Sequence, residues 1–206
     1  MKRSRINEVM GQAGEMIREY GFILPPFAGW SPAEFRARGE AARAIIDARL
    51  GWDITDYGQG RFDDFGLFLF TLRNGRLADL RRGGGMCYAE KLLISRRDQL
   101  SPSHTHVIKA EDIINRGGVV HCDGIARRFG PGEKLRLHPG ESVTLMPGDW
   151  HAFWAEGGDV LIGEVSTVND DVTDNVFREP IGRFAAVEED EAPVHLLVSD
   201  YPQWLA

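Results

Sequence analysis

Three residues of types that bind metal ions lie in one short segment, SPSHTHVIKAEDIINRGG, at 101–118: His104, His106 and Glu111. Residues two apart on a β-strand point to the same face of a sheet, so we expect both histidines to face inward together. A turn or bulge at Val107–Ala110 would bring Glu111 alongside them. Two nitrogens and one oxygen on a rigid strand form a facial metal site with positions left for exogenous ligands.

A fourth ligand must come from a distant strand, and His151 in MPGDWH is the candidate. A lone histidine is usually a core or surface residue. A His-x-His pair with a nearby glutamate and a later histidine after a Pro-Gly turn is much harder to obtain by chance. The pattern therefore predicts a divalent metal site, although N and O ligands alone would accept Mn²⁺, Fe²⁺, Co²⁺ or Zn²⁺. We expect the histidines outside this pattern to be structural: His121, His138 and His195.

The elements that hold these residues divide into a helical start and a β-rich remainder. Ile6–Tyr20 carries apolar residues at helical spacing. Ser31-Pro32-Ala33-Glu34 has the composition of a capped helix start, and we expect helix to continue, with a break at Gly39, through Ala41–Leu50 to Gly51.

Many short apolar segments separated by Gly, Pro or Asp then predict a β-sandwich or small barrel. The predicted architecture is one domain over 1–206, with a helical part at 1–51, a β-barrel at 60–168 and a tail at 169–206 that packs on the barrel or on a second subunit. The predicted strands are the histidine segment and Phe65–Arg73, Tyr88–Ser95, Gly117–Cys122, Lys134–Leu137, Ser142–Met146, Ala152–Ala155 and Val160–Thr167.

Composition narrows the class of partner. The net charge of −7 over 206 residues argues against nucleic acid or an anionic membrane, because both favour clustered Lys and Arg. No apolar run approaches the roughly 20 residues that cross a bilayer, so we expect a cytoplasmic protein. Cys87 and Cys122 lack the spacing of a metal or redox motif and are predicted to be reduced thiols.

The two histidine motifs resemble the paired signatures of the cupin superfamily, a double-stranded β-helix or jelly roll with a metal on three His and one Glu inside the barrel. The first motif matches at every ligand, but Asp98 stands where a Gly is usual. The second has Pro-Gly rather than Pro-x-Gly. Longer segments resemble the D-lyxose isomerase family of cupin aldose–ketose isomerases, in the expected order and over nearly the whole chain: LPPFAGWSP, LGWDITDYG, LFTLRNG, YAEKLLISR, KAEDIINRGG, KLRLHPGESVTLMPGDWHAFW and GEVSTVNDDVTDNVF.

The resemblance implies a manganese-dependent interconversion of D-lyxose and D-xylulose, with D-mannose and D-fructose as secondary substrates, in a homodimer. An isomerase of this type needs a base near C2 of the sugar, and Glu164 in an otherwise apolar strand is the candidate. The alternatives for Glu164 are a buried ion pair or an outward-facing residue. Lys91, in the middle of a strand, would contact substrate oxygens or shuttle a proton, unless it is an exposed charge.

Asp171 would bind sugar hydroxyls or act as a second acid/base, although a turn-forming Asp is the more ordinary interpretation. Lys109, between the metal ligands, would contact substrate or support one of the ligands. Two other functions stay open at this point. An Fe²⁺ cupin dioxygenase would use the same ligands, and a sugar-binding cupin regulator would need no catalysis, although no helix-turn-helix pattern is present.

Overall fold

The computed structural model describes residues 1–110, 118–130, 132–168 and 170–205, with the backbone alone for 118–120. Its helices and strands follow one another in chain order. They are α1 Arg3–Glu19, α2 Pro32–Arg38, α3 Arg43–Asp47, β1 Gly51–Thr55, β2 Leu67–Asn74, α4 Leu77–Leu80, β3 Tyr88–Ser95, β4 Ser101–His106, β5 Gly118–Cys122, β6 Ile125–Phe129, β7 Val143–Thr144, β8 His151–Phe153, β9 Val160–Thr167, β10 Asn175–Phe177 and α5 Tyr201–Trp204, with short 3₁₀ turns at Pro26–Gly29 and Gly39–Ala42.

The helical start follows the sequence closely. The apolar stripe of α1 is buried against a sheet. The capping box at α2 forms as predicted: the Glu34 N–H donates to Ser31 Oγ at 3.3 Å, and the Ser31 N–H donates to Glu34 Oε2 at 2.8 Å. The helix also breaks at Gly39 as predicted, where the chain adopts φ +48°, a conformation in which glycine is least strained.

Three antiparallel sheets place the polar residues of interest. The first has the order β1-β2-β3-β9, the second β10-β4-β8 and the third β6-β5-β7. In the first sheet Lys91 lies directly opposite Glu164, and in the second His104 lies opposite His151. The predicted mostly-β class is confirmed. Within the described residues, however, the hydrogen-bonded ladders form these separate sheets and do not close into one continuous barrel.

The alternation along β2 divides the core into two layers. Phe68 and Phe70 pack with α1 in one cluster, whereas Leu67 and Leu69 face the other way and pack in a second cluster with Phe153. Because both faces of this strand are buried, its sequence reads as a nearly continuous apolar run. The second layer is the side of the sheet on which Lys91 and Glu164 are also found.

Some predicted strand boundaries are wrong. Lys134–Leu137 is not a strand. Strand β1 at Gly51–Thr55 begins before the predicted barrel, and β10 at Asn175–Phe177 lies in the predicted tail. Both missed strands are short. Strand β10 is defined by pairing with β4, far away in the chain, and β1 by pairing with β2, and local periodicity carries no signal for such pairing. The residues before Gly51 also have a helical pattern, which gives no indication that β1 begins at Gly51.

Asp98 adopts φ +62° at the position where the cupin motif usually has glycine. Asp and Asn tolerate this left-handed conformation better than most residues, so the turn before β4 keeps its geometry despite the departure from the motif. Cys87 and Cys122 are free thiols. Among the described helices none is both long and apolar enough to cross a bilayer.

Candidate metal centre and polar cavity

Three imidazole rings meet between β4 and β8. His104 and His106 project to one face of β4, as their spacing predicts, and His151 opens the neighbouring strand. The ring centroids of His104 and His151 are 4.1 Å apart, and those of His104 and His106 are 5.1 Å apart. All three rings are buried, and one nitrogen from each lies within 4.8 Å of the others. Such a group could hold a metal ion.

Backbone carbonyls orient two of these rings. Nδ1 of His104 lies 2.8 Å from the Pro102 carbonyl oxygen, and Nδ1 of His151 lies 3.3 Å from that of Asp149. When Nδ1–H donates to a carbonyl, Nε2 becomes the nitrogen that ligates a metal. The local fold of each strand end therefore sets the tautomer that coordination requires.

The chemistry of this donor set fits a divalent ion. Three buried imidazoles without an ion would be a costly polar cluster, whereas imidazole is a common ligand for first-row metals. The fourth predicted ligand, Glu111, lies outside the described residues. The turn predicted at Val107–Ala110 is present, and Asp174 accepts hydrogen bonds from its backbone.

A second cluster, the Lys–Glu cluster of Lys91, Lys109 and Glu164, lies in the same cavity as the histidines. The Lys109 ammonium donates to Glu164 Oε1 at 3.1 Å, and Lys91 Nζ lies 3.5 Å from the same oxygen. All three side chains are at most 4% exposed. Glu164 is therefore buried, as predicted, and it forms ion pairs with Lys91 and Lys109, which were themselves candidate site residues.

Asp171 joins this cluster to a third group. Lys91 Nζ lies 3.4 Å from Asp171 Oδ1, and Arg183 Nη2 lies 3.4 Å from Asp171 Oδ2. Arg183 also donates to Asp53 Oδ2 at 2.7 Å. Burial lowers the pKa of Arg183, but the charges of Asp53 and Asp171 outweigh it and hold the pKa above its ordinary value. The chain of contacts therefore alternates in charge from Glu164 to Asp53.

The remaining lining of the cavity is largely apolar. Tyr57, Leu93, Phe153 and Phe177 are on its wall. Burial raises the pKa of Tyr57 to about 12, although its hydroxyl shares a hydrogen bond with Ser101 Oγ at 3.1 Å, so Tyr57 stays a neutral phenol at physiological pH. The cavity volume is about 30 Å³, which admits water molecules.

The structure brings together most of the residues that the sequence singled out. His104, His106, Lys91, Lys109, Glu164 and Asp171 line one cavity, with His151 beside His104. Three polar residues were missed: Asp53, Asp174 and Arg183. Asp53 had a usable signal, a carboxylate in an apolar strand, which is the same argument that identified Glu164.

Sequence comparison with known proteins finds relatives that match along the whole chain. The family model described as D-lyxose isomerase matches residues 1–120 and 119–201. A protein named D-lyxose/D-mannose isomerase from Escherichia coli O157:H7 is 42% identical over an alignment of 228 positions, which covers 99% of this chain and 100% of that protein. A protein of the same name from Serratia proteamaculans is 40% identical over an alignment of 230 positions, which covers 100% of both chains.

Solved structures show the same fold at lower identity. The L-ribose isomerase of Cellulomonas parahominis has a TM-score of 0.51 at 16% identity, and that of Acinetobacter sp. DL28 has 0.52 at 15% identity. Each comparison covers 91% of this chain and 98% of the other. These likenesses concern architecture alone. The match along the whole sequence decides the family: the chain belongs to the D-lyxose isomerase family and is an aldose–ketose isomerase of that type.

Proposed function

We propose that the protein interconverts D-lyxose and D-xylulose, with D-mannose and D-fructose as a second pair, in a metal-dependent reaction. One observation carries the mechanism: a buried carboxylate, Glu164, held by two lysines, lines the same cavity as buried imidazoles that could hold an ion. The names of the relatives, D-lyxose/D-mannose isomerase, support the choice of sugars.

The proposed cofactor is Mn²⁺, held by His104, His106, His151 and Glu111. When bound, the ion acts as a Lewis acid that polarises the sugar carbonyl. The three imidazoles are the part of this ligand set that lies in the described residues. Manganese rather than another divalent metal rests on the family resemblance, because the donor atoms accept several such metals.

Glu164 is the proposed acid/base. Its carboxylate takes the proton from C2 of the open-chain aldose, and the electron pair of that C–H bond becomes the second bond between C1 and C2 while the carbonyl electrons move to O1. In the second half of the reaction, O1 gains a proton and O2 loses one. The electron pair of the O2–H bond forms the C2 carbonyl, and the second bond between C1 and C2 takes up at C1 the proton that Glu164 returns. A positioned general base of this kind contributes about 10²–10⁴-fold in rate.

Lys91 and Lys109 are the proposed hydrogen-bond donors to the sugar oxygens. Lys91 and Lys109 both lie beside Glu164, so an ammonium donor is available close to the carbon that reacts. In this position it stabilises negative charge that develops on O1. Lys91 also contacts Asp171. This pair is the proposed route for the proton exchanged between O2 and O1, and Asp171 also accepts a hydrogen bond from a sugar hydroxyl.

Arg183 supplies a further donor at the cavity. Its Nη1 is buried without a hydrogen-bond partner among the described residues, while Nη2 is held by Asp53. A buried N–H that lacks an acceptor is costly, and a sugar hydroxyl would satisfy it.

We further propose that the protein works as a cytoplasmic homodimer. The free thiols Cys87 and Cys122 support a reducing compartment, and the dimer rests on the family resemblance. Light scattering coupled to size-exclusion chromatography would test the dimer directly. A single peak at the monomer mass of 23.0 kDa would exclude it under the conditions used.

A panel of aldoses assayed for ketose product, on one sample of known metal content, tests the reaction. We expect D-lyxose to give D-xylulose without oxygen uptake, full loss of activity after treatment with EDTA, and the best recovery with Mn²⁺. Oxygen consumption in the presence of Fe²⁺, or tight sugar binding without turnover in the metal-loaded protein, would refute the proposal.

A further inference from the structure

One carboxylate holds the turn that follows β4. Asp174 is 3% exposed. Its Oδ1 accepts the N–H groups of Val107 at 3.0 Å and Ile108 at 2.7 Å, and its Oδ2 accepts the N–H of Lys109 at 3.0 Å. Three consecutive backbone donors outside any strand therefore end on one side chain.

Such an arrangement fixes the backbone strongly. Hydrogen bonds to an ionised carboxylate are shorter and roughly twice as strong as those between neutral groups. Val107 and Ile108 are exposed residues and Lys109 is buried, so Asp174 supplies the acceptor that the buried N–H of Lys109 requires and binds the two N–H groups before it as well. The backbone carbonyl of Asp174 also lies 3.3 Å from the Val107 nitrogen. The turn is thereby tied to the segment that precedes β10.

The turn connects two parts of the proposed active site. His106 is the residue before it, and Lys109 is the last residue that Asp174 holds. Nδ1 of His106 is 3.8 Å from Asp174 Oδ2, which is beyond hydrogen-bond length, so Asp174 acts on the ring mainly through the backbone. Lys109 extends from the turn back to Glu164 Oε1 at 3.1 Å.

We propose that Asp174 is a positioning residue that sets His106 for metal binding and Lys109 for its contact with Glu164. The proposal rests on the function proposed above. Among the described residues that line the cavity Asp174 is absent, so it acts through the turn rather than on the sugar. Groups that orient a metal ligand typically change metal affinity by about 10–100-fold when they are removed.

The test compares Asp174→Asn with Asp200→Asn. Asp200 is a matched control because it is also a buried carboxylate, 5% exposed, that accepts a backbone N–H, that of Leu197 at 2.8 Å. It is not among the cavity residues. The readouts are the Mn²⁺ dissociation constant from titration calorimetry, kcat and KM for D-lyxose, and the thermal midpoint.

We expect Asp174→Asn to raise the Mn²⁺ dissociation constant by about 10-fold or more and to lower kcat more than it changes KM. Asp200→Asn should lower the thermal midpoint and leave both the dissociation constant and kcat unchanged. Equal Mn²⁺ affinity and equal kcat in the two variants would overturn the proposal. If the wild-type protein binds Mn²⁺ without isomerising any sugar, the proposed function fails while the affinity comparison still decides the role of Asp174.

Hydrogen exchange on the wild-type protein gives a second test that needs neither folding of a variant nor metal. The amides of Val107, Ile108 and Lys109 lie outside β4 yet donate to a buried carboxylate. We expect them to exchange as slowly as amides within the sheet. Exchange at the rate of exposed loop amides would overturn the proposal.

Discussion

Two arginines, each placed between two carboxylates, do different things in this molecule. Arg3 at the start of α1 donates to Glu189 and Asp200, with contacts of 2.7–3.0 Å that occupy Nε, Nη1 and Nη2. Arg183 donates to Asp53 at 2.7 Å and lies 3.4 Å from Asp171. Its Nη1 has no partner among the described residues.

The contrast separates a structural ion cluster from a functional one. Each guanidinium nitrogen of Arg3 donates to a carboxylate within the protein, and these contacts tie α1 to the C-terminal tail. The Arg183 cluster retains a donor and lines a cavity beside the Lys–Glu cluster. Both arginines pair with carboxylates, and Arg183 differs from Arg3 in its buried nitrogen without a hydrogen-bond partner among the described residues and in its place on the cavity wall.

The largest expected effect is at the centre of the functional cluster. Glu164→Gln should lower kcat for D-lyxose by about 10²–10⁴-fold because the amide cannot accept the C2 proton, while bound Mn²⁺ is retained because Glu164 is not a proposed ligand. Steady-state kinetics and metal analysis on the same sample would measure both. The matched control is Glu90→Gln, since Glu90 is adjacent to Lys91 on β3 and pairs with Arg73 outside the cavity. Near-normal kcat in Glu164→Gln would assign the acid/base role elsewhere.

At the structural cluster the expected loss is in stability. Arg3→Met removes the cation from a site where its side chain is 0% exposed and leaves Asp200 buried without its partner. Breaking a buried pair in this way costs about 3–5 kcal/mol. Denaturant titration would measure the loss, and kcat per folded molecule should remain at the wild-type value. A large drop in kcat at temperatures where the variant is fully folded would contradict the division between the two clusters.

The sequence predicted the site better where side chains share a strand than where they meet across the chain. Alternation on β4 fixed the common face of His104 and His106, and a carboxylate within an apolar strand identified Glu164. Asp53 carries the same signal on β1 and was missed because β1 was not predicted, and without the strand its polarity could not be interpreted.

Arg183 and Asp174 had no local signal at all. Each lies in an aperiodic segment near the C-terminus, and each acts on residues far away in sequence, at separations of 130 residues for Arg183 with Asp53 and 65 for Asp174 with Lys109. Hydrophobic periodicity reports which face of an element is buried. It carries no information about which loop returns to that face, and the supporting residues of this site come from such loops.

A smaller effect should follow from exchanging the donor at Arg183 while keeping its charge. Arg183→Lys retains a cation for Asp53 but loses the forked arrangement that leaves Nη1 for a ligand. The loss of one hydrogen bond to a sugar hydroxyl corresponds to about tenfold in kcat/KM. Arg3→Lys is the control, and its kcat/KM for D-lyxose should equal that of wild type. Equal kinetics for the two variants would mean that the donor at Arg183 does not contact substrate.

The smallest expected effect is in acid stability, where the two clusters should respond with opposite signs. A hydrogen bond from Arg3 lowers the pKa of Glu189. Burial raises the pKa of Asp53. The charge of Arg183 opposes this increase and that of Asp171 adds to it. Glu189 therefore contributes stability above the pKa of an unfolded glutamate, about 4.3, and this contribution is lost as pH falls through its folded pKa. Asp53 does the reverse, because the folded state holds its proton more tightly than the unfolded state.

Thermal midpoints measured from pH 7 down to about pH 3, which passes through the ordinary pKa values of both carboxyl groups, would separate the two contributions by difference from wild type. Glu189→Gln should flatten the fall in stability at low pH, since the variant has no ionised carboxylate to lose, and the change should be modest because Glu189 is 35% exposed. Asp53→Asn should steepen the fall, since the group that favours folding on protonation is gone. The same change of slope in both variants would contradict the assignment of opposite roles, because linkage requires the sign of each slope to follow the direction of the pKa change.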